Sequence, residues 1–314
     1  MQWHPTARRP QASLQAYVLL VFTTICSGGN VVAGRLAVGQ ASPMIVTCLR
    51  WAIVSVFLVG ANSSRLIAAW PELRANWRKT VLMATGGFTV FNALFYGAAH
   101  YTTAVNISIL QGSIPVFVVL GAAFLGHARI GAIQSLGIAA TLAGILVVAV
   151  HGQVAAIASL QVNLGDGIIL IACILYSAFV LSLRKRPNIS SLIFFTAMAV
   201  IAFLTSLPLV AYEVVAGTAQ WPTLQGWAIV AFIAVFPSFF SQLAFMRGVQ
   251  LIGPARAGLF TNLVPLFGAL FAVILLGEPF GIFHLIGLAL VVGGILIAET
   301  SSRFRALGSA ETTQ

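Results

Sequence analysis

Two prolines lie 150 residues apart in apolar stretches, Pro115 in GSIPVFVVLGAAFLGHAR and Pro265 in NLVPLFGALFAVILLGEP. A proline has no backbone N–H, so it frees the carbonyl four residues before it. Those carbonyls belong to Gln111 and Thr261, and Asn262 stands next to the second. In lipid a freed carbonyl must find a partner or face a water-filled cavity. Pro115 and Pro265 are therefore read as kinks in two helices, turning backbone oxygens toward a shared cavity along with Gln111, Thr261 and Asn262. Oxygens of this kind can hold an ammonium or a hydroxyl, but they cannot break a bond. Further polar side chains interrupt the apolar runs: Asn30, Asn92, Tyr96, Tyr101, Asn106, Tyr176 and Gln242. Together they are the candidate lining of one polar path. Arg50 and Arg256 fall nearer the ends of their runs, placed either to snorkel to the surface or to attract a substrate carboxylate.

The acidic residues are as informative. All six are read in loops, tails or helix ends, leaving no mid-helix carboxylate to relay a proton or to neutralise a cationic drug. His100 and His284 are the groups left to respond to pH. No HExxH, GxSxG or carboxylate pair is present, which argues against an intramembrane enzyme. Cys26, Cys48 and Cys173 lie inside predicted helices with no disulfide or metal spacing. No metal and no cofactor is expected. Neutral amides, hydroxyls and freed carbonyls suit a zwitterion. The reading is a carrier for neutral amino acids, facilitative or coupled weakly through a histidine.

The elements that position these residues follow from composition. Hydrophobic residues make up 60% of the 314 and charged residues only 7%, too few for a water-exposed surface. Ten apolar runs between residues 14 and 299 reach the roughly 20 residues that cross a bilayer. The runs do not alternate polar with apolar, which excludes a membrane barrel. The net charge of +10 is scattered between apolar segments, which argues against nucleic acid. With the N-terminus in the cytoplasm, most of the basic residues fall in inside loops, among them Arg65, Arg74, Arg78, Lys79, Arg129 and Arg184. Both termini are then cytoplasmic.

The prolines belong to a longer repeat. In one ungapped frame Asn92 meets Gln242, Phe95 meets Phe245, Gly137 meets Gly287 and Gly144 meets Gly294. The expected fold is all-α, an integral membrane protein of ten transmembrane helices in two five-helix repeats at 14–150 and 164–299, between tails 1–13 and 300–314. An odd number of helices per half inverts the second half, a common plan of secondary transporters. Each glycine pair forms a smooth ridge on the fifth or tenth helix, read as scaffold or as the surface of a homodimer.

These features together resemble the drug/metabolite transporter superfamily in its ten-helix EamA branch. The likeness rests on the two halves, CSGGNVVAGRLA in the first helix, Pro43 followed by Arg50 in the second, the paired prolines, and LGEP at 276–279. It departs from the family pattern at Ser27, where tryptophan is common, and at Gly126-His127, where Gly-Glu is common. The resemblance implies a bacterial inner-membrane exporter of amino acids or related metabolites, the aromatic amino-acid exporters included, with a small molecule and the lipid bilayer as its partners. A sugar or nucleotide-sugar exchanger, or an exporter of other small metabolites or drugs, is the alternative.

Overall fold

The protein is described by a computed structural model over residues 10–126, 130–152 and 163–311. His127, Arg129 and both extreme ends lie outside the described residues. The first three helices are Pro10–Leu36, Pro43–Ala68 and Trp77–Ala98. The fourth runs as Ala104–Gln111 and Ile114–Phe124, the fifth as Ala132–Ala149. The sixth, seventh and eighth are Leu164–Ser182, Ser191–Val215 and Leu224–Ile252. The ninth runs as Pro254–Thr261 and Val264–Leu276, and the tenth is Ile282–Glu311. Among the described residues nine of these helices are long and apolar enough to cross a membrane, and the tenth carries a shorter apolar part, Ile282–Ala298. A short helix, Trp70–Ala75, joins the second to the third. Trp70 and Trp77 are exposed there beside Arg74, Arg78 and Lys79, an arrangement suited to the headgroup layer.

The repeat is visible in the packing. The pairs 2–7, 4–9 and 5–10 each join a helix to its own repeat mate, while 1–8 exchanges with 3–6 and 1–9 with 4–6. The halves are thus related by a pseudo-two-fold axis through the self-paired helices. The glycine ridges meet on that axis: a Cβ at Gly137 would come within 2.5 Å of the Gly294 carbonyl, and one at Gly144 within 2.7 Å of the Gly287 carbonyl. Both ridges are therefore buried inside the chain as scaffold. The glycines of CSGGNVVAGRLA serve similar contacts on the first helix. Gly28 faces Phe267 and Gly268 of the ninth, Gly29 faces Phe232 of the eighth, and Gly34 faces Tyr96 of the third.

The prolines do more than kink. The fourth helix is interrupted at Gly112-Ser113 and the ninth at Asn262-Leu263, at matching places in the repeat. The two interruptions touch, since a Cβ on Gly112 would stand 3.2 Å from the Pro265 ring. Around the first break the sixth helix supplies donors. Cys173 Sγ donates to the Leu110 carbonyl at 3.8 Å, and Ser177 Oγ donates to that of Ile114 at 3.1 Å.

Candidate functional site

The third and eighth helices each contain one stretch of π-helix, Thr85–Val90 and Ala234–Phe240. These fall in the same repeat frame, and such bulges recur at functional sites. In the eighth helix the cause is local. Pro237 removes the N–H that would bind the Ile233 carbonyl. Ser238 Oγ donates to that carbonyl instead, at 2.6 Å. In the third helix Asn92 Nδ2 donates back to the Phe88 carbonyl within the bulge.

Side chains within the second bulge and just after the first meet Arg50. Its Nε donates to Ser238 Oγ at 2.9 Å, and its Nη1 donates to Asn92 Oδ1 at 2.6 Å and to the Tyr96 hydroxyl. Tyr96 in turn donates to Asn30 Oδ1 at 2.9 Å. The guanidinium also lies 5.1 Å from the Trp51 ring centroid and 5.7 Å from that of Tyr96, a cation–π placement. Trp51 stacks on Phe88 at 4.6 Å, and Phe88 meets Phe179 and Phe195 edge-on.

This corrects the reading of Arg50 as an end residue able to snorkel. It is only 5% exposed and points into the bundle about 10 Å along the second helix from its start, counting 1.5 Å per residue. Every hydrogen-bond partner it has is neutral. Nη2 takes no partner among the described residues. A buried cation without a carboxylate is costly, and a charged residue held at membrane depth marks a ligand or ion path.

The other expected lining residues lie elsewhere. Tyr176 packs its ring on Phe91 and Phe179, beside the aromatic wall. Gln242 is half-buried on the eighth helix beyond its bulge. Gln111 donates to its own helix at the Ile107 carbonyl. One expectation is overturned. Tyr101 is 56% exposed in the turn between the third and fourth helices, at the end of the span rather than at depth. Thr261 is exposed, and its hydroxyl bonds its own helix at the Gly258 carbonyl. Asn262 is buried, and neither side-chain polar atom has a partner. Arg256 is exposed and stands apart from Arg50.

The acidic residues also differ from their expected surroundings. Asp166 and Glu213 sit at helix ends but are buried, and Glu299 falls inside the tenth helix, which runs on to Glu311. Glu213 accepts from Ser42 Oγ and from the Met44 N–H at 3.2 Å, at the start of the second helix. Glu278 accepts from the N–H groups of Ala104 and Val105 at 2.9 Å each, at the start of the fourth. Ser238 is not among the residues expected from the sequence. Its signal is Pro237 in an apolar run with a hydroxyl directly after it.

Replacing Pro237 with alanine returns a hydrogen bond worth about 1 kcal/mol to the eighth helix and removes the reason for its bulge. The expected outcome is a melting temperature that holds or rises while flux falls, because Ser238 no longer faces Arg50. Normal flux in reconstituted vesicles would show that the bulge is only a packing feature.

Several known proteins are similar to this chain. The uncharacterized transporter YetK of Bacillus subtilis is 27% identical over 288 residues, covering 90% of this chain and 86% of its own. The uncharacterized transporter YyaM of the same organism is also 27% identical, over 304 residues, covering 91% and 94%. A crystal structure with 18% identity superposes with a TM-score of 0.63 over 94% of this chain and 99% of its own, which speaks to the fold. Residues 14–150 and 163–300 each match the EamA-like transporter family. The chain belongs to that family and is a multi-pass membrane transporter, not an enzyme.

Proposed function

We propose that the chain exports small zwitterionic metabolites, neutral and aromatic amino acids foremost, by alternating access about the Arg50 cluster. The observation that carries this reading is the buried guanidinium with neutral partners only. Three of its N–H groups are held by Ser238, Asn92 and Tyr96, so Nη2 is pre-aimed at an incoming carboxylate. A flat apolar side chain would meet the Trp51–Phe88 stack. The ammonium would be held by uncharged oxygens, Asn30 Oδ1 among them. A sugar phosphate or nucleotide sugar brings two or more negative charges. Among the described residues Arg50 is the one lysine or arginine that is buried, which favours the singly charged carboxylate. With this reading goes a bacterial plasma-membrane location with cytoplasmic termini, supported by the basic residues at the end of the bundle that holds them.

The deciding experiment is counterflow in proteoliposomes across a panel of neutral amino acids, sugar phosphates and nucleotide sugars. Saturable, trans-stimulated exchange of amino acids is expected. Exchange confined to the phosphorylated compounds would overturn the assignment. Orientation is checked separately. A cysteine at Ala216, exposed at the end of the seventh helix, should react with an impermeant reagent on intact cells. One at Ala75, in the short connecting helix, should not. The reverse pattern would invert the topology.

A further inference from the structure

A second polar cluster, which the Arg50 site does not use, lies at the end of the bundle remote from the chain termini. We infer that Asp166 is a proton-binding site there, and that its protonation unlatches this end of the carrier. The cluster joins three elements: the turn and start of the fourth helix, the first turn of the sixth, and the first turn of the tenth. Asp166, Thr102, Asn106 and His284 are all buried. Asp166 Oδ1 accepts from Thr102 Oγ1 at 2.5 Å, and its Oδ2 accepts from Asn106 Nδ2 at 3.0 Å.

The hydrogen bonds run in one direction. The Gly281 N–H donates to His284 Nδ1 at 3.0 Å, so the ring proton must sit on Nε2. Nε2 then donates to Asn106 Oδ1 at 3.1 Å. That fixes the amide, whose Nδ2 is directed at Asp166. A chain of donors therefore ends on a carboxylate, and only its ionised form accepts at every oxygen. Adding a proton to Asp166 at Oδ1 forces the Thr102 hydroxyl to turn from donor to acceptor and leaves Asn106 donating to a neutral carboxyl. Asn106 cannot turn over without confronting the His284 N–H. One proton thus removes the charge assistance from both bonds and weakens the chain that ties the 102–106 segment to the sixth and tenth helices. The approach is close: a Cβ on Gly165 would lie 2.8 Å from the Thr102 nitrogen and 2.9 Å from the Ala98 carbonyl.

The other titratable groups around Asp166 are accounted for. Glu278 caps Ala104 and Val105, and Arg35 Nε lies 3.8 Å from Glu278 Oε1. Arg35 also donates to the Ala99 carbonyl. His151, at the end of the fifth helix, packs on Phe283, and His100 is exposed in the turn. Among the described residues no cation is hydrogen-bonded to Asp166 itself. A first-turn carboxylate also favours its own helix N-terminus, and that role alone gives no pH-dependent opening.

The inference builds on the carrier reading, but its test needs no substrate, so the two can fail separately. Hydrogen–deuterium exchange of residues 99–106 is followed in the purified full chain from pH 8 to pH 5, corrected for intrinsic exchange chemistry. In the wild type the opening equilibrium should rise by up to about tenfold per pH unit below the midpoint, the limit for one proton. Asp166→Asn should lose that dependence. His284→Gln should keep it, because the histidine is a locked donor rather than the titrating group. If Asp166→Asn does not fold, Thr102→Val serves instead: with one donor to the carboxylate removed, the opening should move to higher pH. The inference is overturned if Asp166→Asn keeps the wild-type profile, if His284→Gln abolishes it, or if Thr102→Val leaves the midpoint in place.

Discussion

Arg50→Met should abolish transport and leave the protein as stable as before, or more so. Truncating one partner of a buried charge pair costs about 2–5 kcal/mol of binding, or roughly 30-fold or more in affinity at about 1.4 kcal/mol per factor of ten. Stability follows a different rule. The empty site holds a buried cation with no anion, and replacing a buried ionic group by a well-packed apolar one is often neutral or favourable. Each partner left behind keeps a hydrogen bond of its own: Ser238 to Ile233, Asn92 to Phe88, Tyr96 to Asn30. Arg50→Lys should fall between the two, because one ammonium cannot reproduce the planar fork that holds Ser238, Asn92 and Tyr96 at once. Substrate binding and thermal unfolding in detergent, measured on the same samples, check both halves. A variant that unfolds, or one that binds normally, would place Arg50 in the scaffold.

The largest loss of stability should come from neighbouring residues that differ only in facing. A Cβ at Gly294 would lie 2.5 Å from the Gly137 carbonyl and 2.7 Å from the Thr141 nitrogen. Backbone cannot yield as a side chain can, so Gly294→Leu must push the fifth and tenth helices apart. The cost should reach about 3 kcal/mol, the upper part of the overpacking range. At Gly293, one residue earlier on the same helix, a Cβ meets nothing within 4 Å. Gly293→Leu should stay within about 0.5 kcal/mol of the wild type, as substitutions away from special contacts do. Unfolding midpoints for the two variants decide the matter. Equal losses would mean that the ridges do not set the spacing between the halves.

The architecture was legible because a repeat leaves the same mark twice. Pro115 with Pro265, and Gly137 and Gly144 with Gly287 and Gly294, hold one frame, and the helix pairings obey it. The site was legible only in part. Arg50 was read by its distance along an apolar run, which says how deep a residue lies but not which way it points. The facing was available: Val46, Arg50, Val54 and Leu58 recur every four residues, and all are buried. The arginine sits on the apolar stripe of its helix. The π-bulges were hidden because each slips the helical phase in mid-span, an effect that no residue type announces by itself. Asp166 was misjudged in its surroundings because a helix end is usually wet. Here the turn at Ala98–Thr102 folds over it, and Gly165 leaves room for that turn.

The two ends of the bundle are related by the repeat, yet they are sealed with different materials. The repeat mates of Thr102, Asn106, Asp166 and His284 are Ile252, Arg256, Ala16 and Gln134. At the end bearing the termini Ala16 and Ile252 are packed with Leu20 and Ala257 in a small apolar core. One seal is directional and polar. The other is mainly apolar, with buried Gln134 as a polar member. Apolar burial loses strength on cooling, whereas the hydrogen-bonded seal has no such reason to weaken. If the two ends open in turn, as proposed above, cooling is expected to loosen the side facing the termini first, so the balance between them should shift with temperature even when nothing is bound.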